Sequence, residues 1–255
     1  MQLEGVSPNF VTFLSSLRTS DLLGITDKSL EVHAEMEKMG LSEEKLLGNM
    51  LVSMYVKGGC LGIAQDIFYK LPIKDIISWT ALIQALAENG KGEEALHCFE
   101  EMHLKGFVPN TVTLLGMLKS CGMVGDANKG QEVHAEIEKM GLLKENIIVG
   151  TAVIDMYIKC GSLSKALHMF NKLQPRDAIA WNALIGGYSE HGSFERISAC
   201  FQQMLADCVP PDVITFVYVL KAYGNNWAVG KGLGIHVEIT KRGLEMDVGI
   251  GSALV

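Results

Sequence analysis

The string VHAEMEKMG at residues 32–40 decides the fold, because it returns as VHAEIEKMG at residues 133–141. The two copies are shifted by 101 residues (133 − 32). Two further strings recur at a shift of 102: WTALI at 79–83 returns as WNALI at 181–185, and MYVKGG at 54–59 returns as MYIKCG at 156–161. Three unrelated strings that recur at nearly one spacing indicate a chain built from internal repeats.

The long period divides into shorter repeats, and each of these has the pattern of two short helices. In one of them an apolar stripe runs from Trp79 to Leu86 with helical spacing, Gly90 interrupts it, and a second stripe runs from Ala95 to Met102. β-branched residues never alternate over a sustained stretch, so no sheet is predicted. The expected fold class is all-α: a right-handed α-solenoid of stacked helical hairpins, each burying its apolar face on its neighbours.

Seven complete repeats of 31, 35 or 36 residues account for nearly the whole chain. Residues 1–9 match the tail of a truncated standard repeat, and residues 248–255 match the start of a truncated short one. We therefore expect the chain to be a fragment. The seven repeats are predicted at 10–44, 45–75, 76–110, 111–146, 147–177, 178–212 and 213–247.

Composition limits the classes of function. The chain has 22 Lys and Arg against 29 Asp and Glu, which gives a net charge of −7. This charge argues against a protein that binds nucleic acid through an overall positive charge. The longest apolar stretch, 213–220, is interrupted only by Thr215 and is far shorter than the ~18–20 residues of a membrane helix. Neither a membrane nor DNA is expected as a partner.

Several strings together resemble the pentatricopeptide repeat family, and specifically its plant subclass with alternating long, short and standard repeats. The strings are ISWTALI at 77–83, ALHCFEEM at 95–102, AWNALI at 180–185 and LKSC at 118–121. Tetratricopeptide repeats also contain two helices, but they hold to about 34 residues and use a Trp-x-x-Leu-Gly pattern that is absent here. A protein-binding helical-repeat scaffold without RNA specificity is the alternative.

The resemblance implies binding of single-stranded RNA, with one base per repeat. In the family, the fifth and the last residue of a repeat specify the base. Here the fifth residue is polar in short and standard repeats and apolar in long ones, an alternation that packing alone hardly explains. An Asp or Asn before a helix is also a common N-cap. The candidate base-specifying residues are Asn49, Asp75, Thr80, Asn110, Thr151, Asp177, Asn182, Asp212 and Ser252.

The family's code converts these pairs into a predicted RNA sequence. Asn49 with Asp75 implies uracil and Thr80 with Asn110 implies adenine. The pair at 151 and 177 implies guanine, and the pair at 182 and 212 implies uracil. The predicted core is U-A-N-G-U from 5′ to 3′, where N is any base opposite the long repeat 111–146.

Two further sets of residues are candidates for RNA contact. The family uses the apolar second residue of a repeat to sandwich bases, although such residues could equally begin a helix in the core; they are Leu46, Ile77, Val112, Ile148, Ile179 and Ile214. Cations recur at the ninth position of long repeats and the thirteenth of short ones, where they could contact phosphates or form an ordinary solvated face. They are Arg18, Lys57, Lys119, Lys159 and Lys221.

No catalytic set stands out, so the chain is predicted not to be an enzyme and to need neither cofactor nor metal. His33 with Glu35, and His134 with Glu136, resemble the His-x-Glu of zinc deaminases, but the Pro-Cys-x-x-Cys that completes such a site is absent. The glycine-rich string GKGLG at 230–234 is expected to be a turn at a hairpin break.

The resemblance also implies a cellular context. The expected role is part of an organellar RNA-processing or C-to-U editing factor, in a mitochondrion or a chloroplast, with single-stranded organellar RNA as partner. Editing or processing factors could act in trans, and a deaminase domain could belong to a longer parent. The targeting segment is expected to be missing from this chain.

Overall fold

The computed structural model describes residues 9–23, 27–41, 44–190, 192–225, 229–244 and 247–254. These residues form helices and no strands. The helices are α1 Phe10–Leu23, α2 Asp27–Lys38, α3 Lys45–Lys57, α4 Leu61–Lys70, α5 Ile76–Glu88, α6 Gly92–Leu104, α7 Thr111–Val124, α8 Ala127–Lys139, α9 Leu142–Glu145, α10 Ile147–Lys159, α11 Leu163–Lys172, α12 Ala178–Glu190, α13 Phe194–Ala206, α14 Val213–Asn225, α15 Val229–Lys241 and α16 Val248–Leu254.

The chain divides into two compact units, Met1–Ser120 and Cys121–Val255, and each is a stack of helical hairpins. We call α1, α3, α5, α7, α10, α12, α14 and α16 the first helices. In the first compact unit, α3 packs on α1 and α5 and also on its own hairpin partner α4. In the second, α12 packs on α10, α14 and its own partner α13. The predicted all-helical fold class is confirmed.

Each first helix begins at the residue where a repeat was drawn from the sequence, such as Ile76 or Ala178. The preceding residue is an Asp or Asn at every first helix except α3, which follows Glu44 without a side-chain cap, and Asp and Asn favour a helix start at this position. Asp75 accepts a hydrogen bond from the Ser78 amide at 2.9 Å, and Asn146 accepts one from the amide of residue 148 at 2.9 Å. The division of the chain into seven repeats itself stays a prediction.

A repeated aromatic contact joins one hairpin to the next inside each compact unit. In the first, the ring centroids of Phe68 and Trp79 are 4.7 Å apart in an edge arrangement, and in the second those of Phe170 and Trp181 are 4.6 Å apart. Both tryptophans are almost fully buried. Each contact ties a second helix to the following first helix, so the contact sets how consecutive hairpins meet.

The histidines of the His-x-Glu strings also join the second helix of a hairpin to the following first helix. His33 Nδ1 lies 2.7 Å from the Tyr55 hydroxyl, and His134 Nδ1 lies 2.9 Å from the Tyr157 hydroxyl. Burial lowers the pKa of both imidazoles below the ordinary value, because it disfavours the charged form. A hydrogen bond to a neighbouring helix gives these histidines a structural role.

Two details differ from the sequence interpretation. The repeat 111–146 contains a third, one-turn helix, α9, after its hairpin. The string at 230–234, expected to be a turn, lies inside α15 instead. Intrinsic propensity is a weak prior: Ile235 and Ile239, one helical turn apart, are both buried, and their packing outweighs the poor helix propensity of glycine.

The described helices are short. None of them is long and apolar enough to cross a bilayer. The longest contain 14 residues, whereas a span needs about 20.

The close approach of α12 to α10 depends on Gly187. A Cβ at this position would lie 2.6 Å from Ile158 Cγ2, a distance at which one side must move. Gly187→Ala should therefore lower the midpoint of thermal unfolding, at a cost of about 1–3 kcal/mol. Gly62→Ala is the matched control, because no atom lies within 4 Å of its Cβ, and it should gain up to about 1 kcal/mol from helix propensity. Equal effects of the two substitutions would contradict this packing.

Candidate nucleic-acid interface

The second residue of the first helices is apolar and exposed. The exposed fractions of the six candidate side chains lie between 49% and 67%, so the interpretation that they pack in the core is wrong. An exposed apolar side chain at the start of successive helices offers contact surface to a partner. The six are Leu46, Ile77, Val112, Ile148, Ile179 and Ile214.

In the repeat 178–212 the fifth and the last residue contact each other directly. Asn182 Nδ2 donates to both carboxylate oxygens of Asp212, at 3.0 and 2.9 Å. The hydroxyl of Thr215 lies 2.6 Å from Asn182 Oδ1, and the Asp212 carboxylate also accepts from the Thr215 amide at 2.9 Å. Asp212 is therefore both an N-cap and a partner that orients the Asn182 amide.

The repeat 76–110 repeats this arrangement in the other compact unit. Asn110 Nδ2 donates to Thr80 Oγ1 at 3.2 Å, and the Thr80 and Thr113 hydroxyls are 2.9 Å apart. Asn110 Oδ1 accepts from the Thr113 amide at 2.9 Å. Two of the four residue pairs predicted from the sequence are thus joined by hydrogen bonds.

In the other two pairs, Asn49 with Asp75 and Thr151 with Asp177, the two residues make no hydrogen bond to each other in the described part of the chain. Asp75 and Asp177 use their carboxylates to cap α5 and α12, at 2.9 and 2.8 Å from backbone amides. The Asn49 side chain is buried, and both its amide nitrogen and its oxygen lack a hydrogen-bond partner. Thr151 is half-buried.

The bonded and the unbonded pairs differ in the third residue of the repeat that follows them. The sequence analysis did not identify this residue. The bonded pairs precede long repeats, whose third residue is a buried threonine, Thr113 or Thr215. The unbonded pairs precede Ser78 and Ala180. The recurrence of threonine was a visible signal, since the first long repeat carries Thr12, which also bonds the preceding Asn9.

The last base-specifying candidate, Ser252, behaves differently. Its side chain is exposed, and its hydroxyl donates to the Val248 carbonyl of its own helix at 2.8 Å. The structure therefore places Ser252 on α16, bonded within that helix.

A cavity in the second compact unit is lined by several of the residues predicted to contact RNA. Its volume is about 410 Å³, within the range of small-ligand sites of about 300–1,000 Å³. The walls are largely apolar, with polar groups converging from three consecutive first helices. Two residues not singled out from the sequence, Asp155 and Tyr218, join them. The lining residues are Ile148, Thr151, Ala152, Asp155, Asp177, Ile179, Asn182, Ala183, Ile214 and Tyr218.

The phosphate-contact candidates are exposed wherever the structure describes their side chains. Lys57, Lys119, Lys159 and Lys221 all lie on first helices with exposed side chains. The side chain of Arg18 lies outside the described residues. Exposure fits a phosphate contact and a solvated face equally, so this set stays a prediction.

Comparison with known proteins identifies the repeats. A model of the PPR repeat family matches residues 74–123 and 176–225, and a second PPR repeat model matches residues 151–174. The chain belongs to the pentatricopeptide repeat family. The resemblance inferred from the sequence strings is confirmed.

Curated relatives of this PPR chain are much longer than the chain. A putative mitochondrial pentatricopeptide repeat-containing protein of Arabidopsis thaliana is 34% identical over 91% of this chain and 38% of its own length. The chloroplastic pentatricopeptide repeat-containing protein CRR2 of the same plant is 35% identical over 80% of this chain and 31% of its own length. The chain thus spans about a third of these relatives.

Solved structures of PPR proteins have the same fold. The crystal structure of PPR10 in complex with an 18-nt psaJ RNA element matches all of this chain and 38% of that one, with a TM-score of 0.83 and 20% identity. The crystal structure of PPR10 from maize matches 95% of this chain and 41% of that one, with a TM-score of 0.60. At this identity, the likeness establishes the fold alone.

The hydroxyl of Thr215 holds the Asn182–Asp212 pair together, and it is buried. Thr215→Val keeps the shape of the side chain and leaves the Asn182 oxygen without its partner, so we expect a loss of about 1–2 kcal/mol in the free energy of unfolding. Chemical denaturation followed by circular dichroism measures it. Thr240→Val on the exposed face of α15 is the matched control and should change stability little. No difference between the two would show that the hydroxyl does not stabilise the pair.

Proposed function

We propose that this chain binds single-stranded RNA sequence-selectively, with one base per repeat. The observation that carries the proposal is the hydrogen-bonded contact between the fifth and last residues, Asn182 with Asp212 and Thr80 with Asn110, beside exposed apolar side chains. Such a site has an oriented polar group for the edge of a base and an apolar surface for its face. PPR10, which shares the fold, was solved in complex with an 18-nt RNA element, and this supports RNA as the ligand.

The chemistry of Asn182 suits uracil. Its amide has two N–H donors and two acceptor lone pairs. One N–H shared between the two Asp212 oxygens and one lone pair bonded to Thr215 leave a donor and an acceptor for the Watson–Crick edge of a base. Because Asp212 accepts only, it also fixes which end of the amide is the donor.

Asn49 is the same residue type at the same position without protein partners. A buried amide that makes no hydrogen bond is costly, of the order of 1–3 kcal/mol. A uracil edge would supply a donor and acceptors to the Asn49 oxygen and nitrogen. Because both atoms are buried, pairing with a base requires the Asn49 side chain to turn outward, and the cost of leaving them unpaired favours that movement.

Thr80 presents a hydroxyl instead of an amide. Asn110 donates to its oxygen, and Thr113 lies within hydrogen-bonding distance of the same atom. A hydroxyl next to an amide differs in size and polarity from the Asn182 site, so the two repeats should prefer different bases. The proposed core is U-A-N-G-U, with adenine opposite Thr80 and guanine opposite Thr151.

The six exposed second residues would contact the faces of these bases. Apolar side chains favour removal of a base face from water, and they do so for every base. Two of the six, Ile179 and Ile214, line the cavity that Asn182 also lines. Phosphates would then contact exposed lysines of the first helices, namely Lys57, Lys119 and Lys221.

The cellular role is a proposal of the same kind. Relatives are labelled mitochondrial or chloroplastic, which supports an organellar RNA as the partner. We propose that the chain acts in RNA processing or C-to-U editing as the part that selects the RNA, with the chemistry supplied by another domain or by factors in trans.

Binding to short RNAs tests the proposal. An RNA containing U-A-N-G-U should bind more tightly than one with the same bases scrambled, because only the first matches all four polar sites. Fluorescence anisotropy at two salt concentrations measures the difference, with a DNA of the same sequence as control. Equal binding of both RNAs by a folded sample contradicts base selection. Binding of neither would favour a protein-binding scaffold.

The second base of the core gives a sharper test. Thr80→Asn replaces the hydroxyl by an amide beside Asn110, so preference at this base should move from adenine toward cytosine. A pair of RNAs that differ only at this base measures the shift, by about tenfold for one changed hydrogen-bonded base contact. Thr240→Asn, on the exposed face of α15, is the matched control. An unchanged preference in Thr80→Asn contradicts the assignment of this repeat to adenine.

A further inference from the structure

A carboxylate occupies the cavity next to one of the candidate phosphate contacts. Asp155 lies on α10, one turn after Thr151, and its side chain lines the same cavity as Thr151 and Asp177. Its Oδ2 is 2.6 Å from the Nζ of Lys159, four residues later on the helix. The lysine is thus paired with an acid of its own repeat.

The lysine side chain is also held from the other side. A Cβ at Gly122 would lie 3.1 Å from Lys159 Cδ and 3.2 Å from Lys159 Cβ, so the stem of the lysine packs against this glycine. Packing against Gly122 and pairing with Asp155 together keep the ammonium group beside the cavity. A phosphate that approaches there meets a cation whose charge is already balanced, and a carboxylate as well.

The other complete short repeat lacks this carboxylate. The shift of 102 residues that relates the MYVKGG and MYIKCG strings places Ser53 where Asp155 stands, and Lys57 where Lys159 stands. The two short repeats therefore share a lysine and differ by one negative charge four residues before it. Ser53 also shows that the fold accepts a small neutral residue at this position.

We propose that Asp155 lowers the affinity for RNA, because its ion pair with Lys159 keeps the lysine from contacting the phosphate backbone. The inference rests on the proposed RNA-binding function. Pairs as exposed as this one contribute little to stability, so the carboxylate can be removed without unfolding the chain. Its effect is on ligand affinity instead, because a phosphate must compete with it for the lysine.

Removal of the carboxylate should tighten binding. Asp155→Ser should bind the U-A-N-G-U RNA about threefold to tenfold more tightly than the unchanged chain at low salt. The plot of log affinity against log salt should steepen by about 0.7, the contribution of one additional phosphate contact on a single strand. Glu35→Ser is the matched control: it removes an acid that pairs with Lys38 on α2, which is not one of the first helices, and it should change neither value.

A double substitution shows whether the effect passes through the lysine. Lys159→Ala should abolish the gain: in a chain that carries it, the further substitution Asp155→Ser should change RNA affinity by less than twofold. If the gain survives in Asp155→Ser/Lys159→Ala, or if Glu35→Ser produces the same gain, the carboxylate acts as bulk charge and the inference is wrong. RNA binding by the unchanged chain with no gain in Asp155→Ser overturns this inference alone. A lack of RNA binding in all variants overturns the proposed function as well.

Discussion

The contact between a tryptophan and the phenylalanine of the preceding hairpin is the constraint on which the rest of each compact unit depends. The contact buries the largest side chains of the first helices between consecutive hairpins, Trp79 against Phe68 and Trp181 against Phe170. An aromatic pair in an edge arrangement has a preferred geometry as well as a large buried area. Once it forms, the start of a first helix is held at a set position against the second helix of the preceding hairpin.

Residues about 30 apart in sequence can act as a pair because consecutive first helices also pack on each other, as α12 and α14 do. Asp212 ends one repeat and caps the next first helix, and the packing of the two helices brings its carboxylate to Asn182. The cap therefore also orients the Asn182 amide, so capping a helix and orienting a neighbouring side chain are not alternatives for this residue. Capping fixes the position of the carboxylate, which a group that orients an amide requires.

The sequence alone predicted most of the fold, because repetition makes the same evidence appear several times. A single apolar stripe is weak evidence, but strings recurring at 101 or 102 residues cannot each be accidental. Where the evidence occurred once, it failed: the glycines of 230–234 suggested a turn, while buried Ile235 and Ile239 keep them in α15. The base-contact candidates came from the family resemblance, and their exposure or bonding followed from neither composition nor spacing.

The sequence by itself determined the helical hairpins, the positions of the capping residues and the family, since these depend on local pattern and on recurrence. Only the tertiary structure decided which pairs are joined. Asn182 with Asp212 and Thr80 with Asn110 bond, and the pairs at 49 and 75 and at 151 and 177 do not. The reason is the third residue of the next first helix. A buried threonine hydroxyl completes the hydrogen-bond network of each bonded pair. After the unbonded pairs, Ser78 bonds the carbonyl of its own capping residue instead, and Ala180 has no hydroxyl.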